Sequence, residues 1–468
     1  MKKLFGLVLA VASIFCLFAC GGKSKSDIIM WTGFGQSISN TMLELLEEFT
    51  EKTGITVDYE SKGGYDNLKT GIVLETATGN TPNVIVGYPD HFAEYIAAES
   101  LLPLDSFLNK EDENFLDDFV DDYLPEVQSF GDGLIYGLPF NKSSEVLVYN
   151  KTFFDYYELE VPQTWDELKT TCEEIKTIVD DLLAQETNPG IVGEVVDGKV
   201  ENVILDMSQV KKFVPFCYDS GANFFITATR QWGGTYTTRS EDYRTGYAKF
   251  NNPQTIEAMN FFDDMADDGL FTTPSYWEAS YASDAFKAMQ CILTVGSSAG
   301  VTYNIPSGDL FEVGIAPIFY KDEANKYVIQ QGTNLGIMAN ATKKQTEQSW
   351  ELVKFLTSEE VNTRFALATG YIPVRESGLE SNKYKTDLLN YTGNDVNMKV
   401  KSATANVVLQ YKNEGFTQFV DPAFIGSSSI RNEVELMVDK FIVDVISVET
   451  AINESLNILV AFKDPNEE

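Results

Sequence analysis

Three short apolar runs, Ile28-Ile29-Met30-Trp31, Ile55-Thr56-Val57-Asp58-Tyr59 and Asn83-Val84-Ile85-Val86-Gly87, stand in the first part of the chain with one helical pattern after each. After the first run, Met42, Leu45, Leu46 and Phe49 recur on one helical face up to Gly54. After the second, Leu68 and Ile72 carry the pattern to Gly79, and a third helix is expected from about Asp90 to Glu99. This βαβαβα order predicts an α/β fold with a mainly parallel sheet and helices on both faces.

The rest of the chain continues the alternation. Glu145-Val146-Leu147-Val148-Tyr149 reads as a strand. Thr164 and Glu167 form a capping box before a helix that presents Leu168, Cys172, Ile175 and Val179. Residues 191–205 read as an inserted hairpin about Asp197-Gly198. Residues 221–247, rich in Gly, Thr and aromatics, predict a loop-rich surface facing a cleft. Strands near 292–295 and 313–316 follow, then helices at 345–356 and, at the end, around Val434, Met437, Val438 and Phe441 and around Ile452, Leu456 and Leu459. The chain has 468 residues, more than the roughly 250–300 that one core supports, so two lobes are expected. No repeat or linker separates them in sequence.

Charge and residue usage exclude several functions. With 35 Lys+Arg against 70 Asp+Glu the chain carries −35, which repels a nucleic-acid partner. A hydrophobic fraction of 44% supplies cores and excludes overall disorder. His91 is the only histidine, so most zinc sites and catalytic triads are unavailable. Acidic pairs such as Asp117/Asp118 and Asp121/Asp122 are expected by coincidence among so many carboxylates. There is no EF-hand and no glycine-rich phosphate loop. No cofactor, metal site or enzymatic activity is expected; a surface glycosidase or an adhesive lipoprotein are the readings from other classes.

Lys2 and Lys3 precede an apolar run from Leu4 to Ala19, the pattern of a secretory signal over residues 1–19. Leu17-Phe18-Ala19-Cys20 resembles a bacterial lipobox. That resemblance implies cleavage before Cys20, lipidation of its thiol, and residues 20–26 as a tether holding an exported protein on the bacterial membrane, at its periplasmic or extracellular face. Cys172, Cys217 and Cys291 remain, either with Cys172 paired to Cys217 or as buried free thiols.

An ordered set of segments carries a family likeness. It comprises Thr78-Gly79-Asn80-Thr81-Pro82-Asn83-Val84, Tyr136-Gly137-Leu138-Pro139-Phe140-Asn141, Val148-Tyr149-Asn150-Lys151 and Pro162-Gln163-Thr164-Trp165-Asp166-Glu167-Leu168. Further on come Phe286-Lys287-Ala288-Met289, Gly296-Ser297-Ser298, Gly332-Thr333-Asn334, Phe355-Leu356-Thr357-Ser358 and Thr369-Gly370-Tyr371-Ile372-Pro373-Val374. The chain resembles the extracellular solute-binding proteins (family 1) of ATP-binding-cassette importers, in the branch that binds sugars and glycerol phosphates. The resemblance implies a two-lobe periplasmic-binding-protein-like fold (type II), with discontinuous lobes, a hinge and an interlobe cleft. Lobe one would be 27–140 plus 311–368, and lobe two 141–310 plus 369–468. It further implies a monomer that hands a small sugar, polyol or glycerol phosphate to membrane permease subunits.

Aromatic rings suit sugar C–H faces, and open α/β sheets place ligands in turns after strands. Trp31, Tyr65, Tyr88, Trp232, Trp277 and Tyr371 meet both conditions. The resemblance to glycerol-3-phosphate-binding proteins, carried by Ser61-Lys62-Gly63-Gly64-Tyr65 and Phe140-Asn141-Lys142-Ser143-Ser144, implies contacts from Tyr65, Ser143, Ser298 (or Ser297), Gly332, Tyr371 and Arg431. The family's acidic contact falls on Pro89 here, with Asp90 beside it. Independently, Gly426-Ser427-Ser428-Ser429-Ile430-Arg431 opens a helix with hydroxyls and a guanidinium, suited to an anion or a hydroxyl-rich ligand. Arg431 either meets that ligand or pairs with a carboxylate such as Asp421 or Glu435.

Overall fold

The computed structural model describes residues 26–128, 130–184, 191–196, 199–206, 212–240, 243–308, 310–444 and 446–465. Cys20 and the expected signal lie outside them, as does the hairpin turn Asp197-Gly198. The three leading runs form β1 (Ile28–Thr32), β2 (Val57–Ser61) and β3 (Val84–Gly87), all parallel, with β1 between the other two. Helices Gln36–Thr53, Tyr65–Thr78 and Pro89–Ala97 separate and follow them. Gly54 and Gly79 end the first two helices at φ 73°, a left-handed conformation that glycine adopts without penalty.

β4 (Leu138–Asn150) is 13 residues long and buried almost throughout. Later strands are β5 (Ile191–Val196), β6 (Lys199–Asp206), β7 (Phe216–Tyr218), β8 (Thr237–Arg239), β9 (Gly246–Ala248), β10 (Phe271–Thr272), β11 (Leu293–Ser297), β12 (Val313–Ala316), β13 (Tyr327–Ile337) and β14 (Thr417–Phe419). β5 and β6 pair as the expected hairpin. The main sheet runs β10-β7-β11-β4-β13-β3-β1-β2, with β12 also on β4 and β14 on β13. β4 and β13 thus join two groups of strands.

Two separate apolar cores flank this junction. One gathers Ile28, Met30, Phe49, Val84, Phe92, Phe140, Leu335 and Phe365; the other gathers Val146, Val148, Trp165, Phe216, Phe262, Phe319, Met437 and Phe441. Along β4 the change falls across Asn141-Lys142-Ser143-Ser144-Glu145, five consecutive polar residues that are all buried. On β13 it falls across Gln330-Gln331-Gly332-Thr333-Asn334, where the register against β4 shifts between Thr333 and Asn334. Polar side chains at a junction pack less apolar area between the halves, and so leave two cores rather than one.

Two expectations differ from the packing. Residues 311–329, expected with lobe one, contribute Phe311, Val313, Ile318, Phe319 and Ile329 to the second core. The cause is β12, which pairs antiparallel with the far half of β4, Val313 opposite Asn150 and Ala316 opposite Leu147. Conversely Tyr371 and Val374 pack with the first core. The expected loop-rich surface at 221–247 begins instead as a buried helix, Gly221–Gln231. Its N-terminus is capped from another helix: Gly221 N–H and Ala222 N–H donate to the Glu435 carboxylate at 2.9 and 2.7 Å. Ser220 caps the same start locally, its Oγ accepting the Asn223 N–H at 3.3 Å.

The Thr164/Glu167 capping box is complete, and Trp165–Leu183 buries Leu168, Cys172, Ile175 and Val179. Cys172, Cys217 and Cys291 are buried free thiols, and burial pushes all three thiol pKa values up. No helix among the described residues is long and apolar enough to cross a membrane.

Candidate functional site

The loops after the parallel strands converge between the two cores. Gly33, Phe34 and Gly35 follow β1, Gly63 and Gly64 follow β2, and Tyr88 follows β3. Together with residues from the other core they line a cleft of about 880 Å³. Its far wall includes Asp219, Tyr281, Ser297 and Tyr303. A smaller recess of about 260 Å³ shares Tyr65, Asp66 and Tyr88 and runs on to Asp90, His91, Gly332, Asp421 and Arg431.

Tyr65 sits where both spaces meet. Gly63 and Gly64 precede it at φ 71° and 153°, a turn that a side chain would strain. A Cβ on Gly33 would stand 2.8 Å from the Tyr65 ring, so glycine lets the ring lie against the β1 loop. The Tyr65 and Tyr88 rings are 4.8 Å apart at 58°. Tyr371 stacks on Phe365 at 5.9 Å and 7°, which fixes its ring at the cleft wall. Asn141 Nδ2 donates to the Tyr65 hydroxyl at 3.5 Å, and Thr333 donates to Asn141 Oδ1, so the polar stretches of β4 and β13 hold the ring's outer edge.

The β4 stretch carries Ser143 and Ser144, and the end of β11 brings Ser297 and Ser298 beside them. The Ser297 hydroxyl donates to Ser143 Oγ at 3.3 Å, and Ser297 faces the cleft. Ser298 is fully buried, and its oxygen accepts Ser144 N–H at 3.1 Å. Ser297 is therefore the one of the two that meets the open space. Gly332 reaches the smaller recess at φ 104°, and a Cβ there would overlap the Asn141 carbonyl.

Both cations nearest the recess are paired. Arg431 Nη1 is 2.9 Å from Asp421 Oδ1, and Nη2 donates to Asn223 Oδ1. Lys142 pairs with Glu126, both buried, and Gln330 Nε2 donates to Glu126 Oε2 at 3.3 Å. Burial raises Glu145 to about 7, opposed by the Tyr218 hydroxyl it accepts at 2.6 Å. Burial likewise raises Asp219 to about 6, opposed by the Ala282 N–H at 2.7 Å. Burial lowers the His91 pKa, opposed by the nearby Asp90 carboxylate. No group of three metal-ligating side chains occurs among the described residues.

The structure brings together Tyr65, Asp90, Gly332 and Arg431 in the smaller recess and Tyr65 with Tyr371 in the larger cleft. Ser143 lies behind Ser297. Trp232 and Trp277 are elsewhere. Trp232 packs on Phe261 and Phe262 under the Lys321 ammonium, at the outside of the second core. Trp277 donates its indole N–H to Lys212 O at 2.9 Å. Both rings are satisfied by neighbours, which is why a turn position did not make them cleft residues. Asp66, Asp219 and Tyr303 line the cleft without having been anticipated. The one signal available was the run Asn141–Glu145, polar inside an otherwise apolar strand.

Comparisons with known proteins agree with this architecture. Residues 44–392 match the family model of bacterial extracellular solute-binding proteins. The sn-glycerol-3-phosphate-binding periplasmic protein UgpB of Pectobacterium atrosepticum is 24% identical over 396 residues, covering 81% of this chain and 80% of its own. The multiple sugar-binding protein of Streptococcus mutans is 23% identical over 403 residues, covering 82% and 84%. UgpB of Mycobacterium tuberculosis in complex with glycerophosphocholine superposes with a TM-score of 0.73 at 16% identity, over 93% of this chain and 98% of that one. A Thermotoga lettingae ABC transporter solute-binding protein bound with α-D-tagatose gives 0.67 at 18%, over 93% and 99%.

Proposed function

The chain belongs to the bacterial extracellular solute-binding proteins, and from that membership we propose that it captures a sugar, a polyol or a glycerol phosphate between its two halves and delivers it to an ABC importer. The observation that carries the reading is the cleft between two independent cores, walled by rings and hydrogen-bonding groups from both. A ligand touching both walls favours closure, because the closed state offers contacts that the open state lacks. β4 and β13 are the strands about which the halves turn. Tyr65, Tyr88 and Tyr371 present ring faces to C–H groups, while Ser297, held from behind by Ser143, and Asp90, Gly332 and Arg431 border the space for hydroxyls. The guest leaves unaltered, and the partners are permease subunits in the membrane. Export on the Lys2-to-Ala19 signal and acylation of Cys20 keep the protein at that membrane.

Thermal denaturation of the mature chain with maltose, D-tagatose and sn-glycerol 3-phosphate tests the reading. A ligand at 100 times its Kd adds about 2.7 kcal/mol to the folded state. Stabilisation by one of them, with the compound recovered unchanged, is expected; no stabilisation by any, or its conversion to a product, overturns it.

A further inference from the structure

We propose that the larger cleft takes a guest bearing a protonated amine, an amino-substituted sugar or polyol, with the ammonium seated on the second core's wall at Asp219, Thr294 and Asn304; this rests on the capture reading above and narrows it. Asp219 follows β7 and lies against Gly296 of β11, where an added Cβ would stand 3.4 Å from the Asp219 Cβ. Thr294, two residues earlier on that strand, shares its face. Asn304 closes the short helix Ser298–Asn304 that follows β11. All three residues line the cleft.

Two independent observations call for a donor from outside the chain. Thr294 and Asn304 are 2% and 7% exposed, and Thr294 Oγ1 and Asn304 Oδ1 have no hydrogen-bond partner among the described residues. Asn304 Nδ2 already donates to Val301 O at 3.3 Å, so the side chain still offers an acceptor. Asp219, for its part, accepts the Ala282 N–H at 2.7 Å. Burial raises it to about 6, and the charged groups that act on it, Glu435 and Asp284, are carboxylates. A hydroxyl would satisfy the orphan oxygens but leave the Asp219 charge uncompensated; an ammonium supplies donors and counter-charge together.

The positive groups on this wall are committed. Lys287 is 3.1 Å from Asp284. The helix start Gly221–Gln231, next to Asp219, is held by Glu435 at 2.7 and 2.9 Å. Tyr65, Tyr303 and Tyr371 line the same space, and tyrosine ring faces attract an ammonium. The opposite wall is complementary. There Gln36–Thr53 begins after Gly35 with no acidic residue in its first turn, which suits the oxygens of the same guest. Asp66, at the start of Tyr65–Thr78, is the exposed carboxylate of that wall. The chain's charge of −35 draws a cation in.

Calorimetric titration of the mature protein at about pH 7, above the Asp219 value of about 6, compares D-glucosamine and D-galactosamine with D-glucose, D-galactose and N-acetyl-D-glucosamine. The wild type is expected to bind an amino sugar at least about tenfold more tightly than its parent sugar or the acetylated form. Asp219→Asn, which keeps an acceptor for the Ala282 N–H, is expected to erase that preference while parent-sugar affinity stays within about twofold. Asn304→Ala is expected to weaken amino-sugar binding about fivefold and serves if the first variant does not fold. Parent sugars bound as tightly as amino sugars overturn the inference and leave capture standing, and so does an amine preference that survives both substitutions. Silence with these sugars while maltose, D-tagatose or sn-glycerol 3-phosphate binds also overturns the inference alone. Silence with all of them, in folded protein, overturns the capture reading as well.

Discussion

Lys142 and Glu126 form an ion pair with side chains 0% and 5% exposed, at the point where β4 passes from one core to the other. Gly332 O and Gln330 Nε2 lie against the same pair. A charge removed from such a pair strands the other in a poor solvent. Lys142→Met alone should destabilise the fold by about 3–5 kcal/mol, and Lys142→Met with Glu126→Leu should restore most of the loss. Urea midpoints of the two proteins check this; equal losses in both would show that the pair's charge is not what matters there.

Gly332 marks the same junction by backbone shape. Its φ of 104° suits glycine, and the Asn141 carbonyl leaves no room for a Cβ. Gly332→Ala should cost about 2–4 kcal/mol of stability, read from chemical denaturation. A variant as stable as the parent would mean that β13 can relax without cost.

Tyr65 and Tyr88 are rings common to both spaces, and Tyr65 is the one held by Asn141. Tyr65→Ala should weaken ligand binding by about 1–3 kcal/mol, while Tyr65→Phe, which keeps the ring, should lose about 1 kcal/mol or less. Titration of whichever probe stabilises the wild type measures both. Unchanged affinity in the folded alanine variant would remove Tyr65 from the site.

Glu145 and Asp219 link stability to pH. Both folded-state values are raised, to about 7 and about 6, from ordinary values of 4.5 and 3.8. The folded state therefore binds more protons than the unfolded one across that interval, so these groups make stability fall as pH rises from about 4 to about 7. Glu145→Gln retains an acceptor for the Tyr218 hydroxyl and should flatten part of the decline, on the order of 2–4 kcal/mol at pH 8. Denaturation midpoints from pH 4 to pH 8 test the sign; a variant whose profile runs parallel to that of the wild type would refute it.

Cys20→Ser should move the protein from the membrane fraction to the soluble fraction, because one thiol carries the expected acyl chains. Fractionation of cells expressing each form reads this directly. Membrane retention of the serine form would exclude acylation as the anchor.

Much of the architecture was legible from periodicity. The runs that became β1, β2 and β3, the glycines that stop the intervening helices and the Thr164/Glu167 box all depend on neighbours a few residues away, so the local pattern is sufficient. The place of Tyr65 and Tyr371 at the cleft wall was legible too, since their glycine-flanked segments resemble those of known binding proteins. Trp232 and Trp277 were not separable from them by sequence, because a ring in a turn reads the same whether it meets a ligand or a lysine.

What the chain's order alone determined is the set of elements and the presence of two bodies, through hydrophobic spacing and length. Tertiary structure decided which body claims 311–329, because antiparallel pairing with the far half of β4 outweighs proximity in sequence. It also decided the electrostatics of the cleft. Whether Arg431 can receive a phosphate depends on Asp421 and on Asn223, a residue 208 positions away, and such a partnership exists only once helices distant in sequence are packed side by side.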